Sequence, residues 1–252
     1  MNLNSSLSDI DQYKSFCVRA SIDLLIFENF RQNKCYKQIL EHVNAHTGFL
    51  YLKEIAKTNP ALIGDIDKIK LNDQFGNPDI VEYDIVGEIS PSTLRYAKVL
   101  SDLLNYFNTL DKLKIVEIGV GYGGQCRVIN SITKPDEYTL VDIKPALLLT
   151  QTYLDNFILP STVIYKTMNE LKKEAYDLVI SNYAFTELRR EIQDIYLDKI
   201  IMNAKHGYIT YNQITPENFK SYKKEELLEM IPNSKAIEEI PLTHEKNCII
   251  IW

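Results

Sequence analysis

The sequence predicts an α/β fold in which a doubly wound, mostly parallel sheet follows a helical N-terminal extension. Three observations support this prediction. From residue 112 onward, apolar segments of strand length alternate with helical stretches. A glycine-rich turn follows the first of these segments, whereas the first third of the chain has apolar residues at helical spacing. We place the helical region at residues 1–89 and the sheet region at residues 90–252.

The N-terminal region is predicted to contain three helices, at residues 8–30, 33–43 and 49–57. Ser8 is the expected cap of the first helix, and Asn59-Pro60 is expected to end the third. Residues 72–78 read Asn-Asp-Gln-Phe-Gly-Asn-Pro, which is a strong turn signal. A further helix opens at Ser90-Pro91 and extends to about Phe107.

Seven strands are predicted, at residues 114–118, 138–142, 162–166, 177–181, 207–211, 236–240 and 247–252. Helical stretches separate the first five strands, a pattern typical of βαβ units in a parallel sheet. Only a short loop separates the last two strands, so we expect them to form an antiparallel hairpin.

Composition limits the class of protein. The chain has 252 residues, 45% of them hydrophobic, and a net charge of -6, which disfavours a general nucleic-acid-binding surface. Its four cysteines lie far apart and no acidic cluster is present, so neither a disulfide framework nor a metal site is expected. Without a signal peptide or an apolar run of about 18 residues, the expected protein is cytoplasmic and has no membrane span. The oligomeric state stays open, a homo-oligomer included.

The most informative segment covers residues 115–124 and reads Ile-Val-Glu-Ile-Gly-Val-Gly-Tyr-Gly-Gly, a buried strand that leads through a glycine turn into a helix. Backbone in such a turn can approach a nucleotide-like ligand closely, because glycine has no Cβ and tolerates positive φ. Gly119, Gly121 and Gly123 are the predicted ligand contacts. Gly119, Gly121 and Gly124 also fit the G-x-G-x-x-G pattern, so the glycines alone do not distinguish NAD from S-adenosylmethionine (SAM).

Three residues around the turn refine the ligand prediction. Glu117 favours SAM, because a carboxylate pairs with the ammonium group of SAM but repels the pyrophosphate of NAD. Asp142 ends the second strand, where an acid accepts hydrogen bonds from ribose hydroxyls; a helix cap is its alternative role. Met168 follows the third strand and is predicted to pack on the adenine base, with simple packing of the loop as its alternative role.

Polar and aromatic residues follow the fourth strand. Asn182 is predicted to orient the methyl donor or the acceptor, and Tyr183 to form a wall of the site through cation–π attraction. Glu187 is the first candidate for the general base, with a helix cap as its alternative role. His244, in the turn between the last two strands, is the second candidate.

Four further residues are predicted to contact ligands. They lie in the helix that opens at Ser90 and in the segment before it. Arg95 is predicted to bind the SAM carboxylate, or alternatively an acceptor phosphate, because guanidinium binds either group bidentately. Asp73, Tyr83 and Tyr96 are candidates for the acceptor pocket, since a sugar site needs hydrogen-bonding groups and aromatic faces.

Several segments resemble those of bacterial sugar O-methyltransferases, which are class I SAM-dependent enzymes often encoded with capsule or lipopolysaccharide genes. The similar segments are residues 117–125, 181–188, 90–96, 72–78 and 211–213. The resemblance implies a Rossmann-like sheet of seven strands with one antiparallel strand. It also implies that Glu117, Gly119, Gly121 and Asp142 contact SAM, and Asn212, in the last segment, joins the acceptor candidates.

The expected function is therefore SAM-dependent O-methylation of a sugar hydroxyl, on a nucleotide-linked, capsule or lipopolysaccharide sugar. Three alternatives stay open at this point. One is a methyltransferase for a non-sugar small molecule, and another is a non-catalytic partner protein with the SAM-binding fold. The third is an NAD-dependent dehydrogenase, which would need a second substrate domain.

Overall fold

A computed structural model describes residues 10–252, so the expected cap Ser8 lies outside the described residues. The N-terminal region contains α1 (Asp11–Ile22), α2 (Leu24–Phe27), α3 (Lys34–Ile39), α4 (Ala45–Thr58), α5 (Ala61–Gly64), α6 (Ile66–Lys70), β1 (Val81–Tyr83) and β2 (Gly87–Ile89). The sheet region contains α7 (Pro91–Phe107), β3 (Lys114–Ile118), α8 (Gly124–Ile132), β4 (Glu137–Val141), α9 (Lys144–Leu154), β5 (Thr162–Lys166), β6 (Tyr176–Asn182), α10 (Arg190–Lys199), β7 (Ala204–Tyr211), α11 (Lys224–Met230), β8 (Lys235–Glu238) and β9 (Cys248–Ile251).

The large sheet confirms the doubly wound prediction. Its seven strands lie in the order β5-β4-β3-β6-β7-β9-β8. The first five in sequence, β3 to β7, run parallel to one another, whereas β9 runs antiparallel to both β7 and β8. The winding direction reverses between β3 and β6, which makes the carboxyl ends of these two strands the topological switch point. Ligands of open α/β sheets bind at such a point.

The N-terminal region is helical as predicted, but the prediction of one continuous helix over residues 8–30 is wrong. Helix α1 ends before Asp23, whose carboxylate accepts hydrogen bonds from the backbone N–H groups of Leu25 and Ile26 (3.0 and 3.2 Å). These bonds cap a new short helix, α2, and so interrupt the helical run. The hairpin β1–β2 was not predicted.

The second and third predicted helices are present with different ends. Helix α3 ends at Ile39, and α4 begins at Ala45 because the Asn44 side chain accepts a hydrogen bond from Thr47 N (2.9 Å). Residues 40–44 therefore form an irregular link between the two helices. This link passes beside the glycine turn, as described below.

Alternate residues of β3 face two separate cores. Ile115 packs with the N-terminal helices and with α7, α8 and α9, whereas Val116 and Ile118 pack in a second cluster with α10 and α11. Leu52 of α4 and Leu100 of α7 belong to the same cluster as Ile115, so the helical region and the sheet region bury apolar surface together. Within residues 10–252, no helix combines the length and the apolar character needed to cross a membrane.

Arg31 is fully buried and joins distant parts of the chain. Its guanidinium donates two hydrogen bonds to Glu41 (2.8 and 3.1 Å) and one to Asp73 (2.9 Å). It also donates to the hydroxyl of Ser90 (3.1 Å), and its Cζ lies 5.0 Å from the ring centroid of Tyr122 in the glycine turn. Loss of its partners would leave a buried cation uncompensated, which costs several kcal/mol of stability. These contacts therefore fix the N-terminal region against the turn.

Asp73, an expected acceptor residue, instead completes this buried network. Besides Arg31, it accepts hydrogen bonds from the backbone N–H of Ser90 (2.8 Å) and from the hydroxyl of Thr93 (2.6 Å). The substitution Asp73→Ala removes all three bonds and one of the two carboxylates that neutralise Arg31. We expect it to lower the free energy of unfolding by about 3–5 kcal/mol, measured by urea denaturation.

Asp79→Ala is the matched control, because Asp79 also pairs with a cation but is exposed. Its carboxylate lies 2.8 Å from Lys37 Nζ, with 64% of the Asp79 side chain accessible to solvent. We expect this control to lose less than about 1 kcal/mol. Equal losses for the two variants would contradict a stabilising role for the Arg31 network.

Candidate functional site

The glycine turn lies between the end of β3 and the start of α8, at the switch point of the sheet. Gly119 and Gly121 adopt φ angles of +76° and +59°, which side chains with a Cβ rarely adopt. A Cβ on Gly119 would lie 2.0 Å from the Cβ of Ala184, which follows β6, so the two strand ends approach each other closely here. Gly123 caps the N-terminus of α8 in the left-handed conformation.

Asp142 holds the glycine turn in place from the neighbouring strand. One carboxylate oxygen accepts hydrogen bonds from the backbone N–H groups of Val120 (2.8 Å) and Gly121 (3.3 Å), and the other accepts from Ile143 N (2.7 Å). Burial raises the pKa of Asp142 to about 6, although the three N–H groups lower it. The residue is only half-buried, and Oδ1, which accepts a single N–H bond, keeps one lone pair that can accept from a ligand hydroxyl.

Glu117 was expected to face the crevice beside the turn, but its side chain is buried at 2% exposure. It shares a face of β3 with Ile115, the face covered by α8, and there it accepts a hydrogen bond from Tyr138 O–H (2.8 Å). Burial raises the pKa of Glu117 to about 8, against the lowering effect of the Tyr138 hydrogen bond. The carboxyl is therefore mostly protonated at neutral pH.

The link at residues 40–44 covers the turn from the N-terminal side. A Cβ on Gly121 would lie 3.1 Å from Cδ1 of Leu40. The carbonyl of Leu40 accepts a long hydrogen bond (3.5 Å) from the guanidinium of Arg95 in α7. The glycine turn, the link and Arg95 are therefore neighbours.

A cleft opens over the ends of β6 and β7. It lies between α4, α7 and the loop that joins β8 to β9, and Tyr51, Arg95, Asn182, Tyr183 and Glu239 are among the residues that line it. The structure thus brings three of the predicted site residues, Arg95, Asn182 and Tyr183, to one cleft.

Two buried polar atoms in this cleft have no hydrogen-bond partner, namely Nε of Arg95 and Oδ1 of Asn182. Arg95 is 9% exposed, and its Cζ lies 5.3 Å from the ring centroid of Tyr96. The amide nitrogen of Asn182 donates to Gln125 of α8 (3.3 Å). Buried polar atoms are normally satisfied by protein groups or ordered water, so this orphan donor and orphan acceptor are free to bind a polar ligand or water.

Sequence reasoning missed Glu239, which is 5% exposed and follows β8 directly. It accepts hydrogen bonds from Tyr183 O–H (2.5 Å) and from both the backbone N–H and the hydroxyl of Thr243 (2.9 and 2.6 Å). Its position at the carboxyl end of a predicted strand was the only available signal. The contact with Tyr183 spans 56 residues of sequence and was not predictable from local pattern.

The two candidates for the general base do not line the cleft. Glu187 accepts a hydrogen bond from the amide of Asn212 (2.6 Å), and burial raises the pKa of its carboxyl more than this bond lowers it. His244 is exposed in the loop between β8 and β9, where its ring nitrogen lies 3.3 Å from Lys246 N. The structure therefore joins Glu187 with Asn212 and leaves His244 apart.

Three further predicted residues lie elsewhere. Tyr83 donates to the carbonyl of Ala45 (3.1 Å) and so attaches the β1–β2 hairpin to α4. Tyr96 is buried against Tyr122, with ring centroids 6.0 Å apart. Met168 is half-buried in a short 3₁₀ turn after β5, on the same edge of the sheet as Asp142. Among the described residues, no group of His, Cys, Asp and Glu side chains could hold a metal ion.

No protein-family model matches this chain, and no curated protein matches it. Solved structures that resemble it at a distance include magnesium protoporphyrin IX methyltransferase from Synechocystis PCC 6803 with bound SAM (13% identity, 86% of this chain and 95% of that one, TM-score 0.48). Two others are the methyltransferase domain of bacterial CtHen1 (11%, 62% and 96%, 0.47) and TehB from Haemophilus influenzae (16%, 61% and 60%, 0.46). Identities and TM-scores this low say nothing of the reaction or the acceptor.

The raised pKa of Glu117 predicts a pH dependence of stability. Between its ordinary value of 4.5 and the folded value of about 8, the folded state retains a proton that the unfolded state has lost. This contribution to stability is therefore fully present below pH 4.5 and is lost as the pH rises through about 8.

Urea unfolding of the wild type and of Glu117→Gln at pH 5 to 9 measures this effect. We expect the wild type to lose several kcal/mol relative to the variant over this range, because the amide that replaces the carboxyl does not titrate. Parallel curves for the two proteins would show that the Glu117 carboxyl is not held in its protonated form.

Proposed function

We propose that this chain is a SAM-dependent methyltransferase that binds its cofactor at the glycine turn. One observation carries the proposal: the Asp142 carboxylate accepts two backbone hydrogen bonds from a turn of positive-φ glycines at the switch point of the sheet. The order of the seven strands, with antiparallel β9 between β7 and β8, is the order of class I methyltransferases. An NAD-binding Rossmann sheet instead has six strands in the order 3-2-1-4-5-6.

The residues of the turn and the cleft fit SAM. The orphan Nε of Arg95 suits a carboxylate, the remaining lone pair on Oδ1 of Asp142 suits a ribose hydroxyl, and Met168 is available to the adenine. Gly119, Gly121 and Gly123 would admit the ligand close to the backbone, and Asn182 would orient it from β6. Glu117 would meet a cation only after losing its proton, because its pKa is about 8.

SAM supplies an electrophilic methyl group, so this chain has to position an acceptor and receive its proton. We propose a sugar hydroxyl as the acceptor, because residues 72–78, 90–96 and 181–188 resemble sugar O-methyltransferases. Tyr183 and Asn212 are the proposed acceptor contacts. Glu187 is the preferred proton acceptor, since its raised pKa favours proton uptake, and His244 is the second candidate.

Isothermal titration with S-adenosylhomocysteine (SAH) and with NAD tests the cofactor. We expect SAH to bind and NAD not to bind. Asp142→Ala is expected to weaken SAH binding about tenfold or more, because a hydrogen bond to a charged group is lost. Asp155→Ala, at the exposed C-terminal end of α9, is the matched control and should bind SAH like the wild type.

The outcome that would contradict the proposal is tight binding of NAD with no binding of SAH. Retention of full SAH affinity in Asp142→Ala would leave the cofactor assignment intact but would remove Asp142 from the ribose site.

A further inference from the structure

The cleft contains a buried carboxylate that no cation of the described residues neutralises. All three hydrogen bonds that Glu239 accepts come from neutral groups, the hydroxyl of Tyr183 and the N–H and hydroxyl of Thr243. No ion pair among residues 10–252 includes Glu239, although the side chain is 5% exposed. A buried carboxylate without a cation is costly, and a ligand that supplies the missing charge would lower that cost.

The position of this carboxylate is fixed by a strained residue. Tyr183 adopts φ +68° and ψ -39°, a conformation that a bulky side chain rarely takes. Its backbone N–H donates to the carbonyl of Thr210 (3.1 Å), which holds the residue at the ends of β6 and β7. Strain of this kind persists where the surroundings over-determine it and is concentrated at functional sites.

The neighbours of Glu239 also suit a cation. Tyr51 and Tyr183 line the same cleft, and aromatic faces attract ammonium groups. The oxygen Oδ1 of Asn182 is a further acceptor in the cleft, and it has no donor. An ammonium group carries three donors and no acceptor, so it complements a carboxylate and an amide oxygen together.

Two cationic side chains line the cleft and affect how strongly an ammonium group would bind there. Lys98 is neutralised by Asp102, whose carboxylate lies 2.6 Å from Lys98 Nζ. Arg95 has no carboxylate partner in the described chain and would repel a second cation until an anion covers it. Under the proposed function, on which this step rests, the SAM carboxylate is that anion.

From these contacts we infer that the acceptor carries an amino group, and that this group binds as an ammonium ion to Glu239. Combined with a sugar hydroxyl as the methylated group, the substrate class is an amino sugar. The amino group serves as an anchor that positions the hydroxyl, and it binds more tightly when the cofactor is present. Glu239 is thus an acceptor-binding residue on the side of the cleft away from the glycine turn.

Ethanolamine and ethylene glycol are suitable probes, because ethanolamine has an amino group where ethylene glycol has a second hydroxyl. Each is titrated by NMR into the chain saturated with SAH. We expect ethanolamine to bind at least about tenfold more tightly than ethylene glycol. Glu239→Gln should abolish this preference. It should still bind SAH like the wild type, and so should the control variant Glu238→Gln.

Glu238→Gln is the matched control, because Glu238 is the exposed last residue of β8 and immediately precedes Glu239. It should retain the preference for ethanolamine. Should Glu239→Gln fail to fold by circular dichroism, the preference of the wild type decides alone. Equal binding of the two probes to the wild type, or no binding of either, overturns the inference, as does a loss of SAH affinity in folded Glu239→Gln.

Arg95→Met separates this inference from the proposed function. The variant removes the opposing charge, so ethanolamine should bind it preferentially without any cofactor. If SAH does not bind the wild type, the cofactor proposal fails, while the titration of Arg95→Met still tests the Glu239 site. If Arg95→Met shows no preference for the amine, the inference fails whatever SAH does.

Discussion

The rest of the site depends on the contacts that the buried guanidinium of Arg31 makes. It lies over the ring of Tyr122, the residue between two glycines of the turn, and it is neutralised by Glu41 and Asp73 from either side of α4. The hydroxyl of Tyr122 accepts a hydrogen bond from Asn72 (3.0 Å), which extends the network into the turn. The N-terminal helices thereby hold the glycine turn from outside the sheet, while Asp142 holds it from within.

Some buried charged side chains are paired within the chain, whereas others are not, and the two groups have different roles. Arg31 and Lys98 are buried beside carboxylates and are satisfied within the chain. Arg95 and Glu239 are buried in the same cleft, yet neither has an oppositely charged partner among the described residues. The first pair fixes the fold, whereas the second pair has binding capacity left for ligands. Arg95 lies near the turn and Glu239 over the ends of β6 and β7, and we propose that these are the cofactor side and the acceptor side of the cleft.

Most of the sheet was predictable because its strands are short apolar runs bounded by turns. The glycine turn and the antiparallel end of the sheet followed from local pattern as well. The environment of Glu117 did not, because the pattern places it on the same face as Ile115 but does not reveal that α8 buries this face. Asp73 likewise sits in a polar turn, and only the arrival of Arg31 from 42 residues earlier makes it structural.

The acceptor side was least accessible to sequence reasoning, since Glu239 reaches Tyr183 only through the order of strands in the folded sheet. We propose that the glycine turn and Arg95 form a cofactor site that leaves the Glu239 side of the cleft free. A crystal structure with bound SAH tests it most directly. We expect a ribose hydroxyl to bind Asp142 and the carboxylate to bind Arg95, with no ligand atom in contact with Glu239. SAH bound away from the turn, or with its amino group on Glu239, would contradict it.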